Sequence, residues 1–96
     1  MVNDNVRVGA FCDIHQGVNI GQQGDLADDV PTIGDNVWIG PGAKLFGRIH
    51  IADECAIGAN AVVNKDFLER STTIAGIPAK KISDKGNPWI RHLKNN

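Results

Sequence analysis

Tyrosine is absent from the 96-residue chain, aromatic residues make up 5% of it, and methionine occurs once. A core of large aromatic side chains is therefore excluded, and packing has to come from aliphatic residues held by regular turns. Two cysteines, Cys12 and Cys55, are too few for a disulfide framework and fit no CxxC metal spacing. Neither sign of charge is in excess, since 10 basic against 11 acidic residues give a formal charge of -1. That balance lacks the positive field with which proteins hold a nucleic-acid backbone or an anionic membrane. No run of 18 apolar residues occurs, and no basic segment followed by an apolar one stands at the N-terminus. Neither a transmembrane helix nor a signal peptide is expected, which makes the cytoplasm the expected location. A single domain of this length buries only about 60–65% of its unfolded surface, so a partner subunit is expected as well.

What is present is a repeat. Every sixth residue from Val2 gives Val2, Val8, Ile14 and Ile20, and after an interruption the series resumes as Ile33, Ile39, Leu45, Ile51, Ile57 and Val63. All ten are Val, Ile or Leu although only 23 of 96 residues are, a coincidence of about one in a million in a given register. A second apolar column lies four residues after these: Val6, Cys12, Val18, Val37, Ala43, Ile49, Cys55, Ala61 and Phe67. Glycine follows the aliphatic residue at Gly9, Gly21, Gly34, Gly40 and Gly58, whereas His15 takes that place after Ile14. Period six fits neither an amphipathic helix nor an alternating strand, and it predicts short strands joined by turns in a parallel β-helix.

The segment "IGDNVWIGPGAKLFGRIHIADECAIGANAVVNKD" followed by "IAGIPAKKI" resembles the hexapeptide-repeat acyltransferases, in particular the serine acetyltransferases and the sugar and xenobiotic O-acetyltransferases. The resemblance runs from about Asn3 to Ile82. It implies an all-β fold, a left-handed parallel β-helix of three hexapeptides per coil, and a homotrimer. The β-helix domain is expected over 1–82, with a loop projecting at 22–32 that helps to wall an active site on a neighbouring subunit. A C-terminal tail over 83–96, with a short helix through Trp89, Ile90 and Leu93, is expected to pack on a flat face or at an end of the prism as a cap.

By the same resemblance the co-substrate is acetyl-CoA, the other partner is a small hydroxyl acceptor, and transfer is direct in a ternary complex. Ala59, Asn64 and Lys65 are expected to lie along the pantetheine arm, with Lys80 and Lys81 at the phosphates, where ammonium groups act as point charges. A general base is needed to take the hydroxyl proton. His15, outward-facing and shortly before the loop, is the candidate. His50 reads as a surface residue outside the loop region, and His92 as a residue of the tail. Asp13, Asp25, Asp28 and Asp29 are the carboxylates available to orient the base. Three convergent histidines are not evident, so no metal is expected. Cys12 and Cys55 read as buried packing residues and Trp38 as cover for a prism face or a subunit contact.

In serine acetyltransferases the catalytic histidine and its aspartate lie about one coil upstream of the stretch resembling "NVRVGAFCDIHQGVNIG", and a serine-holding histidine precedes Pro-x-Ile-Gly, where this chain has Asp29 and Val30. A second reading follows: a non-catalytic or truncated trimeric module that binds coenzyme A without turnover. A longer parent protein carrying the missing coil is a third.

Overall fold

The structure, a computed structural model, describes residues 2, 5–22 and 29–87. Eleven short strands are present among them: β1 (Arg7–Val8), β2 (Asp13–Ile14), β3 (Asn19–Gly21), β4 (Thr32–Ile33), β5 (Trp38–Ile39), β6 (Lys44–Phe46), β7 (His50–Ile51), β8 (Ala56–Ile57), β9 (Val62–Val63), β10 (Thr73–Ala75) and β11 (Lys80–Ser83). They form three sheets, β1-β4-β7, β11-β10-β8-β5-β2 and β3-β6-β9, in which every contact but one is parallel. Each sheet is one face of a triangular prism, and three strands in succession complete a coil. The prism is the parallel β-helix that the six-residue period predicted, with the left-handed winding that the family resemblance implied.

Register follows the repeat. Ile14, Ile39, Ile57 and Ile74 stack on the second face, and Ile20, Leu45 and Val63 on the third. From the second coil onward the inward column is sealed, with Ile33, Ile39, Leu45, Ile51, Ile57 and Val63 all at or below 3% exposure. The small second column, Val18, Val37, Ala43, Ile49, Cys55 and Ala61, fills the space between them at the corners. Each buried aliphatic contributes about 1.5–3 kcal/mol by leaving water. Ile74 continues the column one coil further than a strict count of six reaches, because the fourth coil takes seven residues from Phe67 to Ile74.

The corners are set by backbone geometry. Phe11, Asn36, Glu54 and Ser71 all have φ near +60° and stack at the first corner, one per coil. Asparagine tolerates this left-handed conformation, whereas for bulky Phe11 it is an outlier. Aspartates tie successive coils here: Asp35 Oδ1 accepts from the Ala10 amide and Asp53 Oδ1 from the Asp35 amide, each at 2.8 Å.

Two boundaries differ from the sequence reading. Thr32 already belongs to β4, and Val30 and Pro31 are buried, so the projecting segment ends before them. At the other end the parallel winding stops at Ala75, where the chain turns through Gly76–Ala79 and β11 runs antiparallel to β10. Lys80 to Ile82 therefore close the edge of the second face instead of continuing the coil. The expected helix through Trp89, Ile90 and Leu93 lies outside the described residues, as does the loop over 23–28.

Candidate active site

The second corner carries a row of small residues. Pairing of Ile14 with Ile39, Ile57 and Ile74 sets the residues that follow them, His15, Gly40, Gly58 and Ala75, one above another, and Ala75 pairs in turn with Lys80. Backbone hydrogen bonds fix the row, from His15 N to Ile39 O at 3.2 Å, Gly40 N to Ile57 O at 2.8 Å and Gly58 N to Ile74 O at 2.8 Å. The glycines are steric requirements. A Cβ on Gly40 would stand 2.7 Å from the Ala59 amide nitrogen, and one on Gly58 2.9 Å from the Ala75 Cβ. The result is a row with little side-chain cover, with a histidine at one end and a lysine at the other. Their backbones are four strand spacings apart, roughly 19 Å.

His15 is exposed, and its ring lies 4.9 Å from that of half-buried Trp38 at an interplanar angle of 56°. Trp38 is in register with Asp13 on the second face, beside the histidine end of the row. Ala59 is exposed on the same corner, just past Gly58. Lys80 and Lys81, adjacent in sequence, differ in their surroundings. The Lys81 ammonium is 2.9 Å from Glu69 Oε1 and also bonds Asp84, and these two carboxylates, Asp84 first, raise its pKa above 10.5. Lys81 is thus a strut of the β10–β11 hairpin. Lys80 makes no ion pair among the described residues and points its charge to solvent.

Asn64 and Lys65 lie elsewhere. Both follow β9 at the third corner, one face away from the row, with the Lys65 ammonium 5.5 Å from the centre of the Phe67 ring. The chain leaves β3 and re-enters β4 at this same corner, where Asp29 stands against Arg48 at 3.9 Å. His15 is near the loop in sequence but one prism face from it in space. His50, by contrast, pairs directly with Thr32, so it stands at the loop corner and not outside the loop region. Its amide donates to Asp66 Oδ1 at 2.9 Å and its Nδ1 is 3.9 Å from the same oxygen. The sequence reading missed this imidazole–carboxylate pair, whose signal was the alignment of His50 with the first residue after the interruption. Of the carboxylates expected to orient His15, Asp29 is taken up by Arg48, Asp25 and Asp28 lie outside the described residues, and Asp13 opens β2 two residues before it.

The two cysteines are packing residues. Cys55 is buried, and the Cys12 thiol donates to Gly34 O at 3.1 Å, with its pKa raised chiefly by burial. No group of three or more metal-binding side chains occurs among the described residues.

A hexapeptide β-helix whose second corner carries a row of small residues ending in a lysine is the class that fold and site define. Residues 31–65 match the bacterial transferase hexapeptide (six repeats) family. It is 37% identical over 87 residues to a serine acetyltransferase of Synechococcus elongatus, covering 90% of this chain and 35% of that protein. A Helicobacter pylori serine acetyltransferase is 37% identical over 94 residues, covering 78% and 54% respectively. Among solved structures, the Brucella abortus serine acetyltransferase in complex with coenzyme A superposes with a TM-score of 0.74 at 30% identity, over 90% of this chain and 43% of that one. The Neisseria gonorrhoeae serine acetyltransferase gives the same score and identity over 93% and 43%. The chain therefore spans between about a third and a half of the length of these relatives.

Proposed function

We propose that the protein is a cytoplasmic acetyltransferase that moves the acetyl group of acetyl-CoA to the hydroxyl of a small acceptor, as a homotrimer with sites between subunits. The observation that carries this reading is the row from His15 through Gly40, Gly58 and Ala75 to Lys80. Gly40, Gly58 and Ala75 leave room where an extended pantetheine arm would lie along the coils, and the Lys80 ammonium, with no ion pair among the described residues, suits the phosphates at one end. The complex of a relative with coenzyme A supports the same co-substrate.

The candidate residues divide between two corners of one chain, with His15, Ala59 and Lys80 on one and Asn64, Lys65 and His50 on the next. A single site containing both sets requires the second corner of one subunit against the third corner of another, which a closed threefold ring supplies three times. The His15 imidazole takes the acceptor's hydroxyl proton as the oxygen attacks the thioester carbonyl. Backbone N–H groups stabilise the oxyanion, and collapse releases coenzyme A, whose sulfur regains the proton. His50 of the partner subunit, beside its own Asp66, is the competing base in this arrangement.

L-Serine is the first acceptor to try, on the similarity to serine acetyltransferases. Val30 directly precedes Pro31, where those enzymes use histidine, and its neighbour Asp29 is acidic and pairs with Arg48, which favours an acceptor without a carboxylate. The test is thiol release from acetyl-CoA against serine, other hydroxyl compounds and amines, with His15→Ala and His50→Ala beside wild type. Loss of turnover in His15→Ala alone supports the assignment, and equal rates remove His15 from the mechanism. Tight coenzyme A binding by calorimetry with no turnover on any acceptor would establish the non-catalytic module instead.

A further inference from the structure

His15 stands where the following coils carry Gly40, Gly58 and Ala75. Directly below it Gly40 offers no side chain, and a Cβ there would lie 2.7 Å from the Ala59 amide nitrogen. The neighbour that the next coil does offer is diagonal. Trp38 is in register with Asp13, two residues before His15, and it precedes buried Ile39, so its indole lies on the outer side of β5. Residues offset by two across adjacent strands stand about 7–8 Å apart, within reach of two ring side chains. The rings meet, with centroids 4.9 Å apart and planes at 56°.

The two members are anchored unequally. Trp38 is half-buried and its amide donates to Cys55 O at 2.9 Å, whereas His15 is exposed and its amide donates to Ile39 O at 3.2 Å. The indole is therefore the fixed ring and the imidazole the one it holds. A tilted pair at this separation is an arrangement that aromatic quadrupoles favour. The attraction grows when the imidazole gains a proton, because an indole ring within about 6 Å attracts a cation. His50 has a carboxylate for a neighbour, Asp66 at 3.9 Å, whereas His15 has an indole. A ring contact occupies neither imidazole nitrogen, so the basic nitrogen stays available to an acceptor hydroxyl. Asp13 is the charged member of the same outer column, in register with the indole.

We propose that Trp38 is the positioning residue of His15: it holds the imidazole in one orientation at the end of the row and steadies the imidazolium formed when the hydroxyl proton is taken. This role rests on the reading of His15 as the general base.

Turnover and fluorescence test the pair separately. Trp38→Leu is expected to lower kcat roughly three- to tenfold, the span to which loss of an aromatic pair converts, with KM for acetyl-CoA nearly unchanged. Trp38→Phe, which keeps a ring, should recover most of that rate. In a His15→Ala chain the Trp38→Leu change should lower kcat no further, because a residue that acts through an imidazole has no effect once the imidazole is gone. Additive losses overturn the proposal. So does a rise in KM for acetyl-CoA at unchanged kcat, which would make the indole a wall of the co-substrate site.

Trp38 emission is read in a Trp89→Phe chain, where Trp38 is the only indole. An imidazolium in ring contact quenches an excited indole and a neutral imidazole does so far less, so emission should fall between about pH 8 and 5 and stay level in His15→Gln. The same response in both chains, or none in either, means that the rings are apart and overturns the pairing whether or not His15 is the base. A His15-dependent response beside full turnover in His15→Ala means that the base reading fails, and it reduces the contact to packing.

Discussion

Thr32 and His50 are register partners on β4 and β7, so the residue that ends the projecting loop stands one coil above a histidine. This pairing fixes the third corner as the place where the loop, Arg48, Asn64, Lys65 and the His50–Asp66 pair meet. The row that ends in His15 and Lys80 is on the second corner. In the threefold ring proposed above, the two corners of each subunit belong to different sites.

Mixed trimers should report this division directly. A His15→Ala chain and an Asn64→Ala, Lys65→Ala chain, each defective alone, are expected to recover activity when refolded together at equal amounts. If each site takes one corner from each of two neighbours, a random mixture contains intact sites at about one in four. Steady-state rates near a quarter of wild type support the interface, and rates no higher than the separate variants mean that both sets act within one chain.

Lys80 and Lys81 should separate cleanly under mutation. Lys80→Ala is expected to weaken coenzyme A binding about tenfold, an effect that shrinks with added salt, because a charge-assisted contact to phosphate is lost. Lys81→Ala should leave that affinity nearly intact and lower the unfolding temperature, since its ammonium is held by Glu69 and Asp84. Calorimetry and thermal melts of the two variants distinguish the roles.

Gly40→Ala places a methyl 2.7 Å from the backbone nitrogen of Ala59, an atom that cannot swing aside. The coil has to shift, at a cost of about 1–3 kcal/mol. Urea unfolding should show that loss. A much larger fall in coenzyme A affinity than in Lys80→Ala would show that the row is also a binding surface.

Alkaline pH should destabilise the protein through two groups. Burial raises the Cys12 thiol above its ordinary value of 9.0, so the folded state favours the protonated form. Its contribution is complete below pH 9 and is lost as pH climbs through the raised folded value. Lys81, raised above 10.5 by Asp84 and Glu69, acts with the same sign at higher pH, its ion pairs vanishing as the ammonium deprotonates. Unfolding free energy measured between pH 8 and about 11 should fall, and Cys12→Ser should flatten the first part of the decline. Alkylation of the Cys12 thiol at pH 8 should likewise be slower than that of a free cysteine.

Much of the scaffold was legible in the chain because burial is periodic. Ile33, Ile39, Leu45, Ile51, Ile57 and Val63 recur at six residues, and each turns its side chain into the same narrow prism. The replacement of glycine by His15 was legible too, as an outward side chain at a corner. Its neighbours were not. Sequence places His15 seven residues before the loop, but seven residues on a triangular coil carry the chain across one face to a different corner. Likewise His50 is far from the loop in sequence and adjacent to its end in space, because one coil of separation is a single strand spacing of about 4.8 Å.

The amino-acid sequence by itself determined the winding: the period of aliphatic residues, the glycines between close coils and the interruption after Gly21 are local and repetitive. Which charges are free was decided only by tertiary structure. Lys80 and Lys81 are the same residue type in the same motif, yet the antiparallel turn of β11 delivers Glu69 and Asp84 to one and neither to the other. Periodicity fixes which way a side chain points, whereas ion pairs and corner neighbours depend on distances across coils that no local pattern encodes.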